Sequence, residues 1–190
     1  MTKNSKHASM LAGGAMLLAM SAGTGWAQEA TTDGAMAAEA SAADAGIGGW
    51  RFEEIDSPLE GTRTLAAVLT SSTEVANIGG APEPVELFIR CQNGSLAAFM
   101  GWPLYLGYNR GRLAYRFDDG ELRTETWQTS TTGTAIGRFD NRQGRALIEQ
   151  IGRSRQLAVR VLPRYFDPRE TVFDLTGSAE VTARILAACS

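Results

Sequence analysis

Acidic side chains are the residues of this 190-residue chain that could serve a catalytic mechanism most directly. Glu53-Glu54 and Asp118-Asp119 are adjacent pairs. Neighbouring residues of a strand point to opposite faces, so neither pair alone can form the two-carboxylate site of a glycosidase. Asp118 and Glu125 could form such a pair across two strands. Asp118-Asp119 also lacks the dense alternating oxygen ligands of a calcium-binding loop. We interpret these acids as solvated turn and edge residues, and we predict no catalytic residue and no metal site.

Missing residue types restrict catalysis further. Lys3, Lys6 and His7 are the only lysines and the only histidine, and all three lie near the start of the chain. Ser-His-Asp triads, Cys-His pairs and histidine-ligated zinc need an imidazole, while Schiff bases and P-loop phosphate sites need a lysine. The remainder of the chain has carboxylates, hydroxyls, tyrosines and arginines for chemistry. We therefore predict that the protein is not an enzyme and has no cofactor.

Aromatic side chains cluster in the middle of the chain, at Trp102, Tyr105, Tyr108, Tyr115 and Trp127. Rings near arginines can stack on sugars or anchor another protein. Core packing is the competing interpretation, and it is favoured for Trp102 and Trp127. Tyr105 and Tyr108 lie in a loop that contains glycine, where the two interpretations are balanced. We keep Trp102, Tyr105 and Tyr108 as candidate partner-binding residues.

Arginine side chains are the other candidates for partner binding. Arg90, Arg112 and Arg116 alternate outward on two strands that we expect to be neighbours, where they could bind a partner's carboxylates. The competing interpretation is a solvated sheet face on which these arginines pair weakly with acids of adjacent strands. We keep Arg90 and Arg116 as candidate partner-binding residues.

Cys91 and Cys189 are the only cysteines. Residues 84–91 alternate with a period of two, which predicts a central strand with Cys91 on its core face. Val181, Ile185 and Cys189 are spaced four residues apart, so a helix would point Cys189 toward the sheet. The first residues of the chain predict export, and two cysteines in an exported protein favour one disulfide over two buried thiols. The C-x-x-C spacing of a redox pair is absent. We predict a Cys91–Cys189 bond.

Residues 1–27 predict a secretory signal peptide. Lys3 and Lys6 supply its positive start, residues 8–20 its apolar core, and small residues precede a cleavage site after Ala27. The apolar run is shorter than the roughly 20 residues that a membrane span needs, so we expect cleavage and no membrane anchor afterwards. The predicted location is the periplasm.

Residues 28–48 are rich in alanine and contain no aromatic residue, which predicts a disordered tether before a single β-rich domain over residues 49–190. The chain has a net charge of −3, and the tether holds four of its acids, Glu29, Asp33, Glu39 and Asp44. Without these four acids and the two lysines of the predicted signal peptide, the remaining domain is close to neutral. Nucleic acids and anionic membrane surfaces attract basic proteins, so neither is an expected partner.

Turn and cap signals divide the domain into strands and helices. Asn93-Gly94 and Asp119-Gly120 predict hairpin turns, and residues 72–84 predict a loop that contains glycines and prolines. Two helices are predicted, one that begins at Asp140 or Asn141 and ends near Ile151, and a last one capped by Ser178. The predicted fold class is α+β: a mostly antiparallel, sandwich-like sheet of about eight or nine strands with two helices, the last helix disulfide-linked to a central strand.

Short motifs in a fixed order also resemble one family. They are Pro84-x-x-Leu87-x-Ile89-Arg90-Cys91, Trp102-x-x-Tyr105-Leu106, Tyr115-Arg116-x-Asp118, Trp127-x-x-Ser130, and Phe173-Asp174-Leu175-x-Gly177 with a helix that ends Ala188-Cys189. Together they resemble the VasI family, also called TagO, of periplasmic proteins associated with type VI secretion. The resemblance implies an exported, single-domain, disulfide-bearing accessory protein with no established enzymatic reaction.

The expected function is therefore that of a non-catalytic periplasmic accessory or adaptor protein, which binds an envelope or secretion-system protein. The alternative is a binding module or inhibitor related to peptidoglycan or lysozyme, because the aromatic loop could bind sugars.

Overall fold

The computed structural model describes residues 46–59, 61–163 and 165–190 of the chain. The predicted signal peptide and residues 28–45 of the predicted tether lie outside these residues. Ile47, at the end of the predicted tether, accepts a backbone hydrogen bond from Trp50 and packs against the core.

The described residues form nine strands and two helices, which confirms the predicted fold class. The strands are β1 (Trp50–Ser57), β2 (Thr62–Ala76), β3 (Pro82–Gln92), β4 (Ser95–Gly101), β5 (Arg110–Phe117), β6 (Arg123–Thr129), β7 (Ala135–Arg138), β8 (Gln156–Leu162) and β9 (Arg169–Asp174). They build one sheet in the order β1-β2-β3-β4-β7-β6-β5-β8-β9, and every pairing is antiparallel.

Strand β3 follows the predicted period of two, since Val85, Leu87, Ile89 and Cys91 are all buried. The hairpin to β4 turns at Asn93 and Gly94, whose φ angles are 50° and 73°. Left-handed conformations at both central residues suit a two-residue hairpin, because this turn matches the twist of the strands. The predicted Asn-Gly turn is confirmed.

The predicted loop over residues 72–84 was wrong. Strand β2 continues to Ala76, β3 already begins at Pro82, and only residues 77–81 connect them. A register shift between Thr70 and Glu74 interrupts the alternation that would have marked β2 as one strand. Pro82 and Pro84 occupy the start of β3, where a missing backbone donor is tolerated.

The sheet curls so that β9 reaches the second half of β2. The hydroxyls of Thr73 and Thr171 are 2.9 Å apart, and the Val172 amide donates to the Thr73 hydroxyl over 3.2 Å. This closure surrounds a single core in which Trp50, Ile89 and Phe173 are fully buried.

Helix α1 (Asn141–Ile151) begins after Asp140, whose carboxylate accepts from the Gln143 amide at 2.9 Å, as one of the two predicted caps. Helix α2 (Ser178–Ala188) begins after Gly177, which has a φ of 83°. The predicted cap at Ser178 was wrong. Its buried hydroxyl donates instead to the Ile151 and Ser154 carbonyls, which ties the start of α2 to the end of α1.

The predicted disulfide is confirmed. Cys91 and Cys189 are bonded with a Cα–Cα distance of 5.5 Å, so the end of α2 is attached to the interior strand β3. Val181 and Ile185 are fully buried on the same side of α2 as Cys189. Neither helix of the described residues is long and apolar enough to cross a membrane.

Candidate functional site: the Glu125 cleft

A cleft of about 400 Å³ opens between the β5–β6 hairpin and α1. Strand alternation supplies its floor, because Tyr115 and Phe117 on β5 face the same side as Glu125 and Trp127 on β6. Helix α1 supplies the opposite wall with Gln143, Ala146, Leu147 and Gln150, and Arg138 closes the inner end from β7. We call this site the Glu125 cleft.

Glu125 is the centre of its hydrogen-bond network. One carboxylate oxygen accepts from the Tyr115 hydroxyl at 2.7 Å, and the other accepts from the Trp127 indole at 2.8 Å and from Arg138 at 2.5 Å. Arg138 also donates to the Gln143 side chain over 2.7 Å, which connects the sheet to α1. Charge-assisted hydrogen bonds of this kind fix the orientation of every participating group.

The network sets the ionisation of both acidic groups. Partial burial of Glu125 opposes its charge, but hydrogen bonds from Tyr115 and Trp127, with the charges of Arg138 and Arg123, outweigh this and lower its pKa. Burial raises the pKa of Tyr115, and the adjacent Glu125 charge raises it further. Glu125 is therefore a stable anion and Tyr115 a neutral donor near pH 7.

Ring contacts make the floor of the cleft rigid. The Tyr115 and Trp127 rings lie 5.1 Å apart, and the Arg138 guanidinium lies 4.6 Å from the Trp127 ring centroid. Trp127 is only 3% exposed, so its face is covered by Arg138 and is not free to stack on a ligand. Trp127 acts as a donor and a support.

The mouth of the cleft is mixed in polarity. Phe117 and Leu147 are partly buried apolar groups, and Arg123 and Glu121 are exposed charges of opposite sign. Exposed amides of Gln143 and Gln150 add donors and acceptors. A volume in the range of known ligand sites, an apolar stripe and a few oriented polar groups are features of a binding pocket.

Asp118 does not join Glu125 in this site. It lies in the turn after β5 with a φ of 49°, and its carboxylate accepts from the Arg155 and Gln156 amides at 2.8 and 2.9 Å. These bonds fasten the turn to β8 on one side of β5, while Glu125 lies on β6 on the other side. The two carboxylates thus belong to separate networks.

The predicted aromatic candidates lie outside the cleft. Trp102 is 4% exposed and belongs to the core, whereas Tyr108 is 70% exposed. Tyr105 is partly buried against Gly133, where a Cβ would collide with its ring. Backbone bonds from Trp102 and Leu106 hold this loop against residues 133–134. The loop therefore presents Tyr108, and not the three rings together.

The expectation that the arginines lie on neighbouring strands was wrong. Arg90 lies on β3 and Arg112 and Arg116 on β5, and three strands separate them. Sequence proximity of hairpins suggested adjacency, but β7 inserts between β4 and β6. Arg116 is exposed opposite Ala158 of β8, while Arg90 is partly buried and lies over the Phe99 ring.

Arg138, Gln143 and Leu147 were not anticipated as parts of a site. A signal was present in the spacing, since Gln143 and Leu147 share one face of α1 and Glu125 and Trp127 share one face of β6. What the sequence did not show is that α1 covers this hairpin.

Comparison with known proteins adds little. No family model and no curated protein matches the chain. Among solved structures, it is similar to the crystal structure of invasion associated protein B from Bartonella henselae, with a TM-score of 0.47 and 10% identity, over 75% of this chain and 94% of that one. A similarity of this size carries no conclusion about function. The resemblance to the VasI family is not confirmed and stays a prediction.

Proposed function

We propose that this is a non-catalytic binding protein whose ligand enters the Glu125 cleft. One observation carries the proposal: Glu125, the carboxylate at the centre of the cleft, accepts hydrogen bonds from Tyr115, Trp127 and Arg138. Its charge is used to position the walls of the cleft.

The same network argues against a role for Glu125 as a general acid. A general acid needs a raised pKa so that it carries a proton near pH 7. Burial alone would raise the pKa of Glu125. The hydrogen bonds from Tyr115 and Trp127 and the charges of Arg138 and Arg123 outweigh burial, so the pKa is lowered. Asp118, the candidate second carboxylate, is occupied by backbone amides of Arg155 and Gln156.

The ligand that fits best is a segment of a partner polypeptide. Phe117 and Leu147 offer apolar contact area, and Arg123 and Glu121 offer one charge of each sign at the mouth. A polypeptide segment carries apolar side chains, charges of both signs and backbone amides for Gln143 and Gln150. In this proposal the protein is an exported accessory or adaptor of the periplasm, since a disulfide suits an oxidising compartment. Association with type VI secretion rests on the family resemblance alone.

A peptidoglycan fragment is the second candidate ligand. A partly exposed Phe117 ring beside Glu121 and two glutamine amides is a combination that can also bind a sugar. In this alternative the binding site is still the Glu125 cleft, and only the ligand differs.

Titration of the full chain with peptides from envelope proteins and with soluble muropeptides tests the proposal. Leu147→Arg should fill the cleft and abolish binding, while Arg145→Ala, on the exposed side of the same helix, should not. Peptide binding lost in Leu147→Arg supports the first candidate. Muropeptide binding with the same sensitivity selects the second. Turnover of either ligand class, or binding that is indifferent to Leu147→Arg, overturns the proposal.

A further inference from the structure

The outer face of the sheet carries a row of stacked phenylalanines. Phe88 on β3 and Phe99 on β4 are cross-strand partners with ring centroids 5.0 Å apart and nearly parallel planes. Phe139, just after β7, continues the row at 5.2 Å from Phe99. Their strand neighbours Leu87, Ile89 and Met100 face the core, so the three rings point away from it.

Glycine at position 137 makes the row possible. Gly137 on β7 is the cross-strand partner of Phe99, and a Cβ there would collide with the Phe99 side chain. The ring can therefore lie across the strand toward Phe139. Phe88, Phe99 and Phe139 are all partly exposed, so the row offers apolar contact area along β3, β4 and the end of β7.

Arg90 ends this row. Its guanidinium lies 5.3 Å from the Phe99 ring centroid. Among the described residues it makes no ion pair, in contrast to Arg51 on the same face, which pairs with Glu53 and Glu86. Partial burial without a carboxylate lowers the pKa of Arg90. A desolvated cation without a counter-charge gains most from a carboxylate that arrives with a partner.

We propose that Phe88, Phe99, Phe139 and Arg90 form a docking surface for a partner polypeptide segment, which lays apolar side chains on the three rings and a carboxylate against Arg90. We call this the Arg90 face. It does not depend on the Glu125 cleft, because the cleft lies on the other face of the sheet. The rings supply contact area at little entropic cost, and Arg90 supplies orientation.

The charges around the Arg90 face argue against an anionic membrane surface or a nucleic acid as its partner. A membrane surface or a nucleic acid is attracted by several basic groups, and the near side of the Arg90 face carries Glu53 and Glu86. Arg51 supplies one positive charge against these two acids, so this group adds no basic field. A single acid within an apolar segment matches Arg90, the guanidinium that lies beside the Phe99 ring.

Fluorescence anisotropy with the full chain tests this inference. The probe is a short labelled leucine-rich peptide with one central glutamate, and its control has lysine in place of that glutamate. The glutamate peptide should bind, and Arg90→Gln should weaken binding about tenfold, as loss of an anchoring arginine does at other interfaces. Arg112→Gln, an exposed arginine of the same outer face on β5, should change binding less than twofold. Phe139→Ala, at the end of the row, should also weaken binding and serves if Arg90→Gln does not fold.

Three outcomes would overturn the inference. They are equal binding of the lysine peptide, unchanged binding in both Arg90→Gln and Phe139→Ala, and a concentration-dependent dimer that Arg90→Gln abolishes, which would make a second copy the occupant. Leu147→Arg should leave this binding unchanged. The Arg90 face and the Glu125 cleft can therefore fail independently.

Discussion

The Tyr115 hydroxyl donates a hydrogen bond of 2.7 Å to Glu125, and the pKa values of the two groups are shifted in opposite directions. Burial and the Glu125 charge raise the pKa of Tyr115, whereas the donors around Glu125 overcome burial and lower the pKa of the carboxylate. The pair therefore keeps one charge state across the neutral range. A cleft organised by such a pair offers a ligand a fixed arrangement of donors and charges.

Glu125→Gln should destabilise the protein by about 1.5–3 kcal/mol at pH 7, because three donors lose a charged acceptor. The folded pKa of Glu125 lies below its unfolded value of about 4.3, so its contribution is complete above that pH and is lost as pH falls through the folded pKa. The difference between the two proteins should shrink below about pH 4. Urea denaturation at several pH values measures it.

Glu121→Gln provides the control for that measurement. Glu121 lines the same cleft but is exposed, so its substitution should change stability by less than about 0.5 kcal/mol. Equal stability of Glu125→Gln and the unmodified chain at pH 7 would show that the network does not organise the cleft.

Removal of the disulfide should cost the protein roughly 4–5 kcal/mol on the chain-entropy model, because Cys91 and Cys189 are 98 positions apart. Denaturation of the oxidised chain, with and without reductant, gives the difference. The double variant Cys91→Ala, Cys189→Ala should have the same free energy of unfolding as the reduced chain, and reductant should not change it. A loss below about 1 kcal/mol would mean that the packing of Val181 and Ile185 and the Ser178 hydrogen bonds hold α2 without the disulfide.

Gly144→Ala should destabilise the protein by about 1–3 kcal/mol, although alanine favours a helix over glycine by about 1 kcal/mol. A Cβ at Gly144 would lie 2.5 Å from the Leu96 carbonyl oxygen and 3.0 Å from the Ala97 Cα, so α1 would have to move away from β4. Thermal unfolding measures the effect, with the exposed neighbour Arg145→Ala as a near-neutral control. Stabilisation of Gly144→Ala would contradict the close contact.

The hairpins, the last helix and the disulfide were predictable because each depends on local signals. Asn93-Gly94 fixes one turn, the spacing of Val181, Ile185 and Cys189 fixes a helix face, and β3 alternates without interruption. The full length of β2 was not predictable, since the register shift between Thr70 and Glu74 breaks its alternation. Local patterns identify elements only where the backbone stays regular.

The candidate site depends on long-range packing, which explains why little of it was anticipated. Glu125 and Trp127 were recognisable as neighbours on one strand face. Their contact with Arg138 requires β7 to lie beside β6, and their enclosure requires α1 to cover the hairpin. Arg90 illustrates the same limit, because its partner Phe99 depends on the β3–β4 register and not on the supposed neighbour Arg116.

Photo-crosslinking from Gln150 at the mouth of the Glu125 cleft tests the central claim most directly. A photoreactive residue at Gln150 in the full chain, expressed in cells, should yield one defined polypeptide adduct, identified by mass spectrometry. The same residue at Arg112, on the opposite face of the sheet, should not yield that adduct, and Leu147→Arg should remove it. Identical products from Gln150 and Arg112, or a ligand recovered in cleaved form, would contradict a non-catalytic binding cleft.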